Sequence, residues 1–155
     1  GDFEQLQQQN HRPVALVVGG LPVDLDCTRE LLQRWGQTAG ITVLPCKVED
    51  HDIQNLHRAA DVMVLPYAET LNSGAAMMSA SFRKPFLVPS DTGSHSLAGA
   101  GAISFDRDAP QGLLTAMQGC LDQALPVPDP QALVYLAAPR ISERFFTALA
   151  ADVQF

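Results

Sequence analysis

The sequence predicts an α/β fold, a Rossmann-like parallel sheet with helices on both faces. Short unbroken apolar runs, of the kind found in strands buried on both sides, alternate with amphipathic stretches of helical period. Turn residues punctuate the boundaries. Strands that alternate with helices imply right-handed crossovers, and therefore a parallel sheet.

The first run, Ala15 to Val18, stops at Gly19-Gly20. A helix is expected from about Asp26 to Ala39, with Leu31, Leu32 and Trp35 on one face and Gly40 as its stop. Ile41 to Leu44 is the second strand, Asp52 to Ala60 the second helix, and Val62 to Leu65 a strand halted by Pro66. Ser73 to Phe82 reads as helix and Pro85 to Val88 as a fourth strand. Ala102 to Phe105 is a fifth strand, and Ala109 to Gln123 a helix carrying Leu113, Leu114, Met117 and Leu121. The glutamine-rich start (Gln5, Gln7, Gln8, Gln9) reads as the end of a polar surface helix. Pro126-Val127-Pro128-Asp129-Pro130 is a stiff extended link, followed by a helical region from Gln131 to about Val153, broken at Pro139. Residues 1–125 are thus expected to form the Rossmann-like domain, with 126–155 as its C-terminal helical extension.

The 155 residues suit one ordinary domain, and 46% hydrophobic against 17% charged residues describes a chain that folds around a core. A net charge of -7, with basic residues scattered from Arg12 to Arg144, argues against a nucleic-acid footprint, which needs a dense basic face. An anionic ligand would have to be held locally, by backbone amides at a helix start. Cys27, Cys46 and Cys120 are odd in number and far apart, so no disulfide framework is expected and a cytoplasmic setting fits best. No apolar run approaches the roughly 20 residues of a membrane span. Any membrane contact of the full-length protein is expected to be peripheral.

Ligands of open parallel sheets sit beyond the carboxyl ends of the strands. The loop after Leu65 stands out there: Pro66 to Asn72 leads into Ser73-Gly74-Ala75-Ala76, a polar cap followed by small residues that leave first-turn amides unobstructed. A diphosphate fits such a turn; a plain capped helix packed on the sheet explains the same residues. Gly19-Gly20 admits the same two readings, close ligand approach or tight turn. Neither the dinucleotide fingerprint nor the P-loop is present. His11, His51, His57 and His95 form no metal-like pair and are expected at the surface or in caps, with His95 a weaker candidate for ligand contact. Glu49-Asp50-Asp52 reads as an acidic first turn of a helix, not a cation site. Met77 and Met78 read as core, and Arg83-Lys84 as solvent-facing.

The stretch Ala59-Ala60-Asp61-Val62-Met63-Val64-Leu65-Pro66-Tyr67, then Ser73-Gly74, Ala80, Phe82 and Lys84-Pro85, resembles the donor-binding half of GT-B glycosyltransferases of the family 4 type. The resemblance runs from the Val-Val-Gly-Gly turn to the helix ending near Gln123. It implies a UDP- or GDP-sugar as donor substrate, with no cofactor and no metal. Ser73 and Gly74 would contact the diphosphate, Gly19 and Gly20 would line the cleft, and Lys47-Val48 would lie beside the base. Tyr67 and Asn72 would shape the sugar pocket.

Relatives of that family carry a spaced pair of glutamates, the second contacting the ribose; Leu71 and Ser79 stand there instead, with Glu69 nearby as a substitute. Arg83 replaces the family glycine before the next strand. The acceptor-binding N-terminal half is the expected partner, and without it the chain alone is expected to be inactive. A non-catalytic Rossmann-like interaction domain is the alternative. A response-regulator receiver would need an acidic pair where Gly19-Gly20 stands.

Overall fold

The computed structural model describes residues 1–21, 25–67 and 74–135. It is α/β with parallel strands flanked by helices, consistent with a Rossmann-like fold. The chain divides into two compact units, Gly1–Ala59 and Ala60–Phe155.

In the first unit, α1 (Asp2–Gln9) confirms the polar N-terminal helix and buries Leu6. β1 (Leu16–Gly19) pairs in parallel with β2 (Ile41–Leu44), Leu16 opposite Ile41 and Gly19 opposite Leu44. The amide of Gln7 ties this unit together: its Nε2 donates to the carbonyls of Val14 (3.2 Å) and Ala39 (2.9 Å). Gly40, at φ +79°, turns the chain there, and a side chain on it would run into Gln7 and the Val14 carbonyl.

α2 spans Leu25–Trp35 and ends earlier than the expected Ala39. Gly36 still donates to Leu32, but the Thr38 hydroxyl takes the Arg34 carbonyl at 3.1 Å, and the turn replaces a further helical repeat. α3 spans Asp50–Ala59, with Asp50 and Asp52 in the first turn as the helix dipole favours. His57 is a correction to the surface role expected of it: it is buried, and its Nδ1 lies 2.9 Å from the Ile53 carbonyl as a donor.

In the second unit, β3 (Met63–Val64), β4 (Phe86–Pro89) and β5 (Ala102–Phe105) form a parallel sheet in that order. β4 has neighbours on both edges and helices over its faces, so all four of its residues are buried. That is why Phe86-Leu87-Val88 shows no polar alternation. Leu65, Ala76, Ala80, Phe86, Val88 and Ala100 make the core, with Met63, Ala75, Leu97, Ala102 and Leu133 packed against it.

α4 (Gly74–Ser81) lies on the sheet through its smallest residues, Ala76, Ser79 and Ala80. Met77 and Met78, expected in the core, are exposed at 36% and 37%. Close approach of helix to sheet is set here by residue size, and the two long side chains are left on the outer face.

α4 closes with a double hydrogen bond, Lys84 N to Ser79 O and Arg83 N to Ala80 O, both 2.9 Å. This places Arg83 in the left-handed region at φ 54°, the position glycine usually occupies after a helix. Lys84 does not face solvent freely: it is half-buried, and its Nζ donates to the Ala60 carbonyl at 2.7 Å. Replacing Arg83 with glycine is expected to stabilise the protein by about 0.5–1 kcal/mol, because a left-handed side-chain residue costs roughly that much more than glycine. A higher denaturant midpoint at unchanged slope is the readout.

A 3₁₀ segment (Gly93–Ala100), absent from the sequence expectation, connects β4 to β5 and ends at Gly101, φ +101°. A side chain on Gly101 would meet Pro128 Cγ at 2.9 Å and the Pro85 Cα at 3.4 Å. α5 spans Gly112–Asp122, shorter than expected because Gln111 adopts φ 61° and Gly112 N closes a turn onto Ala109. Leu114 and Met117 are its buried face. Pro128 is buried in the link, and α6 (Pro130–Tyr135) begins with Asp129 Oδ1 accepting from Gln131 N at 2.9 Å. The remainder of the expected C-terminal helical region, with Pro139, lies outside the described residues. Cys46 and Cys120 are free thiols, and burial pushes the Cys120 thiol up from its ordinary value.

Candidate functional site

In the first unit the candidate residues sit at the carboxyl end of β1 and β2. Gly20 N donates to the Leu44 carbonyl at 3.2 Å, which carries the ladder one residue beyond the strands. Val48 approaches Gly19: its Cγ2 is 3.3 Å from the place of a side chain there, and Leu56 Cδ1 is 3.9 Å away. A side chain on Gly19 would press on Val48. Gly20 is different, since at φ +155° it has no heavy atom of the described residues within 4 Å of that place. Lys47 is exposed beside Cys46, whose N–H closes a turn onto Leu44 at 2.9 Å.

In the second unit Leu65 N donates to Leu87 O at 3.0 Å, after which Pro66 and Tyr67 emerge exposed at the carboxyl edge. Tyr67 is 38% exposed. Glu69, Asn72 and Ser73, together with Leu71, lie outside the described residues. Gly74 opens α4, exposed, with no heavy atom of the described residues within 4 Å of where a side chain would start. Ser79 is fully buried, and its hydroxyl donates to the Ala75 carbonyl at 2.8 Å. A group at that position faces the sheet.

The loops after β4 and β5 add residues that sequence spacing did not single out. Arg107 Nε and Nη2 donate to Asp91 Oδ1 at 3.0 and 2.8 Å. Thr92, next along the chain, is buried and its hydroxyl donates to Pro89 O at 2.8 Å. These partners are sixteen residues apart in sequence, so only the strand register brings them together. His95 falls in the 3₁₀ segment, and its side chain is outside what is described.

Among the described residues, no group of three or more histidine, cysteine or carboxylate side chains is placed to hold a metal ion. No helix among them is long and apolar enough to cross a membrane. No family model matches the chain, and a search of curated proteins found no significant match.

Proposed function

We propose that this chain is the donor-binding half of a two-domain glycosyltransferase of GT-B type, which moves a sugar from a UDP- or GDP-sugar to a glycan or lipid-linked acceptor. The observation that carries the reading is Gly74. It opens α4 beyond the carboxyl edge of a parallel sheet, exposed and with no heavy atom of the described residues within 4 Å of where a side chain would start. First-turn amides left clear in this way suit a diphosphate, aided by the helix dipole. Tyr67 at the end of the preceding strand would bound the sugar, and Ser73 would add its hydroxyl. In transfer, amides and dipole would stabilise the leaving diphosphate as its charge develops. The reaction is read as retaining and metal-independent. The acceptor site would belong to an N-terminal partner domain, in a cytoplasmic protein whose membrane contact, where it occurs, is peripheral.

A second reading, a Rossmann-like interaction domain without a donor site, is favoured by Ser79, which turns into the core where a ribose contact would be needed. Thermal unfolding with UDP and GDP separates the two. A nucleotide at about 100 times its dissociation constant adds about 2.7 kcal/mol, which raises the midpoint by roughly 2–4 °C per kcal/mol in a domain of this size. No rise with either nucleotide at millimolar concentration would overturn the donor reading.

A further inference from the structure

α4 carries no charged residue from Gly74 to Ser81. Its inner residues, Ala76, Ser79 and Ala80, are buried on the sheet. The outer ones, Gly74, Met77, Met78 and Ser81, recur at i, i+3, i+4 and i+7, and all four are exposed. A helix that turns one face to water ordinarily sets charged or strongly polar groups there, whereas one without them on any face is a helix covered all round. α4 has the second composition, yet among the described residues only its sheet side is covered.

The chain itself supplies a cover. α6 is fastened to the 3₁₀ segment by Asp129 N, which donates to the Gly99 carbonyl at 2.8 Å. Leu133 of α6 and Ala75 of α4 pack against the same core cluster, so the described residues end, at Tyr135, beside the core that α4 covers. Twenty residues follow, 136–155, which lie outside the described residues. Their sequence sets Ile141, Phe145, Ala148 and Leu149 at i, i+4, i+7 and i+8, with Glu143, Arg144 and Thr147 on the other side of a helical period. Residues 136–140 can bridge up to about 17 Å, more than the roughly 8–10 Å between the axes of packed helices. Residues 141–153 would measure about 20 Å as a helix, enough to run the full length of α4, about 12 Å.

We propose that residues 141–153 dock as an amphipathic helix along the outer face of α4, with Phe145 and Leu149 against Met77 and Met78. The flexible thioether side chains of methionine adapt well to such a partner. This contact stands whether or not the chain binds a nucleotide.

The test is oxidation of Met77 and Met78 by hydrogen peroxide, followed by peptide mass spectrometry, since covering a thioether slows its reaction. The chain cut after Ala138 and the full-length variants Phe145→Asp and Leu149→Asp are expected to react about three- to tenfold faster than the wild type at both methionines. Thr147→Asp, on the opposite side of the helical period, should react at the wild-type rate. Circular dichroism and cooperative thermal unfolding check that each variant is folded, and the two full-length variants carry the result where the shortened chain does not fold. Equal rates in the wild type and in Phe145→Asp and Leu149→Asp would overturn the proposal, as would an equal acceleration in Thr147→Asp. Wild-type protection that fades on dilution would also overturn it, by identifying a second copy of the chain as the cover.

Discussion

Replacing Phe86 with alanine is expected to remove about 3–5 kcal/mol of folding stability, the range for a large side chain deleted from a closed core. Phe86 is fully buried at the start of the central strand, opposite Met63 on one side and Ala102 on the other. It shares its core cluster with Leu65, Val88 and three alanines, Ala76, Ala80 and Ala100, whose single methyl groups cannot extend into the space. The cavity term is therefore retained on top of the transfer term. Since domains are stable by only about 5–15 kcal/mol, the variant should unfold at a much lower urea concentration with the slope unchanged. A loss under about 1 kcal/mol would mean that the strand is not the closed centre described above.

Replacing Gly74 with tryptophan is expected to abolish or weaken nucleoside diphosphate binding by about 10- to 100-fold, equal to about 1.4–2.8 kcal/mol. The folded state should be left intact. Among the described residues no heavy atom lies within 4 Å of the new Cβ, so the backbone there accepts a side chain. Tryptophan is also no worse a helix former than glycine. What it covers is the first turn of α4. Binding is read by titration with UDP and GDP, and folding by circular dichroism and the thermal midpoint. Undiminished affinity in a folded variant would remove Gly74 from the site.

The places of the strands in the chain were legible, but burial on both sides holds only for β4 among the described strands. β1, β2 and β5 each carry exposed positions, Val17, Thr42 and Ser104, so the reading of the first apolar run as a strand buried on both faces is corrected. Ile41 to Leu44 and Ala102 to Phe105 match the observed strands, and the fourth strand is displaced by one residue. What sequence pattern missed shares one physical origin, that contact is decided by shape. α4 is apolar nearly all round, so periodicity gives no face, and the small residues went inward while Met77 and Met78 stayed out. The 3₁₀ segment, rich in glycine, alanine and serine, has no hydrophobic period to detect. His57 and Lys84 find backbone carbonyls that no spacing rule points to.

The candidate site divides along the same line. Turn chemistry pointed to Gly20 and Gly74, which are open in the structure, and to Gly19, whose space Val48 approaches. The Asp91–Arg107 pair had no local signature, because its partners meet only through the register of β4 and β5.

Gly101 has a further meaning for how this sequence is free to change. Pro128, the Pro85 Cα and the Lys84 carbonyl all converge on the volume its side chain would occupy. The course of the link into α6 is thus encoded by atoms that are missing, one strand away from the link itself. Drift at position 101 is constrained jointly with drift at 128, and a comparison of sequences that treated the link as free spacer would misread both.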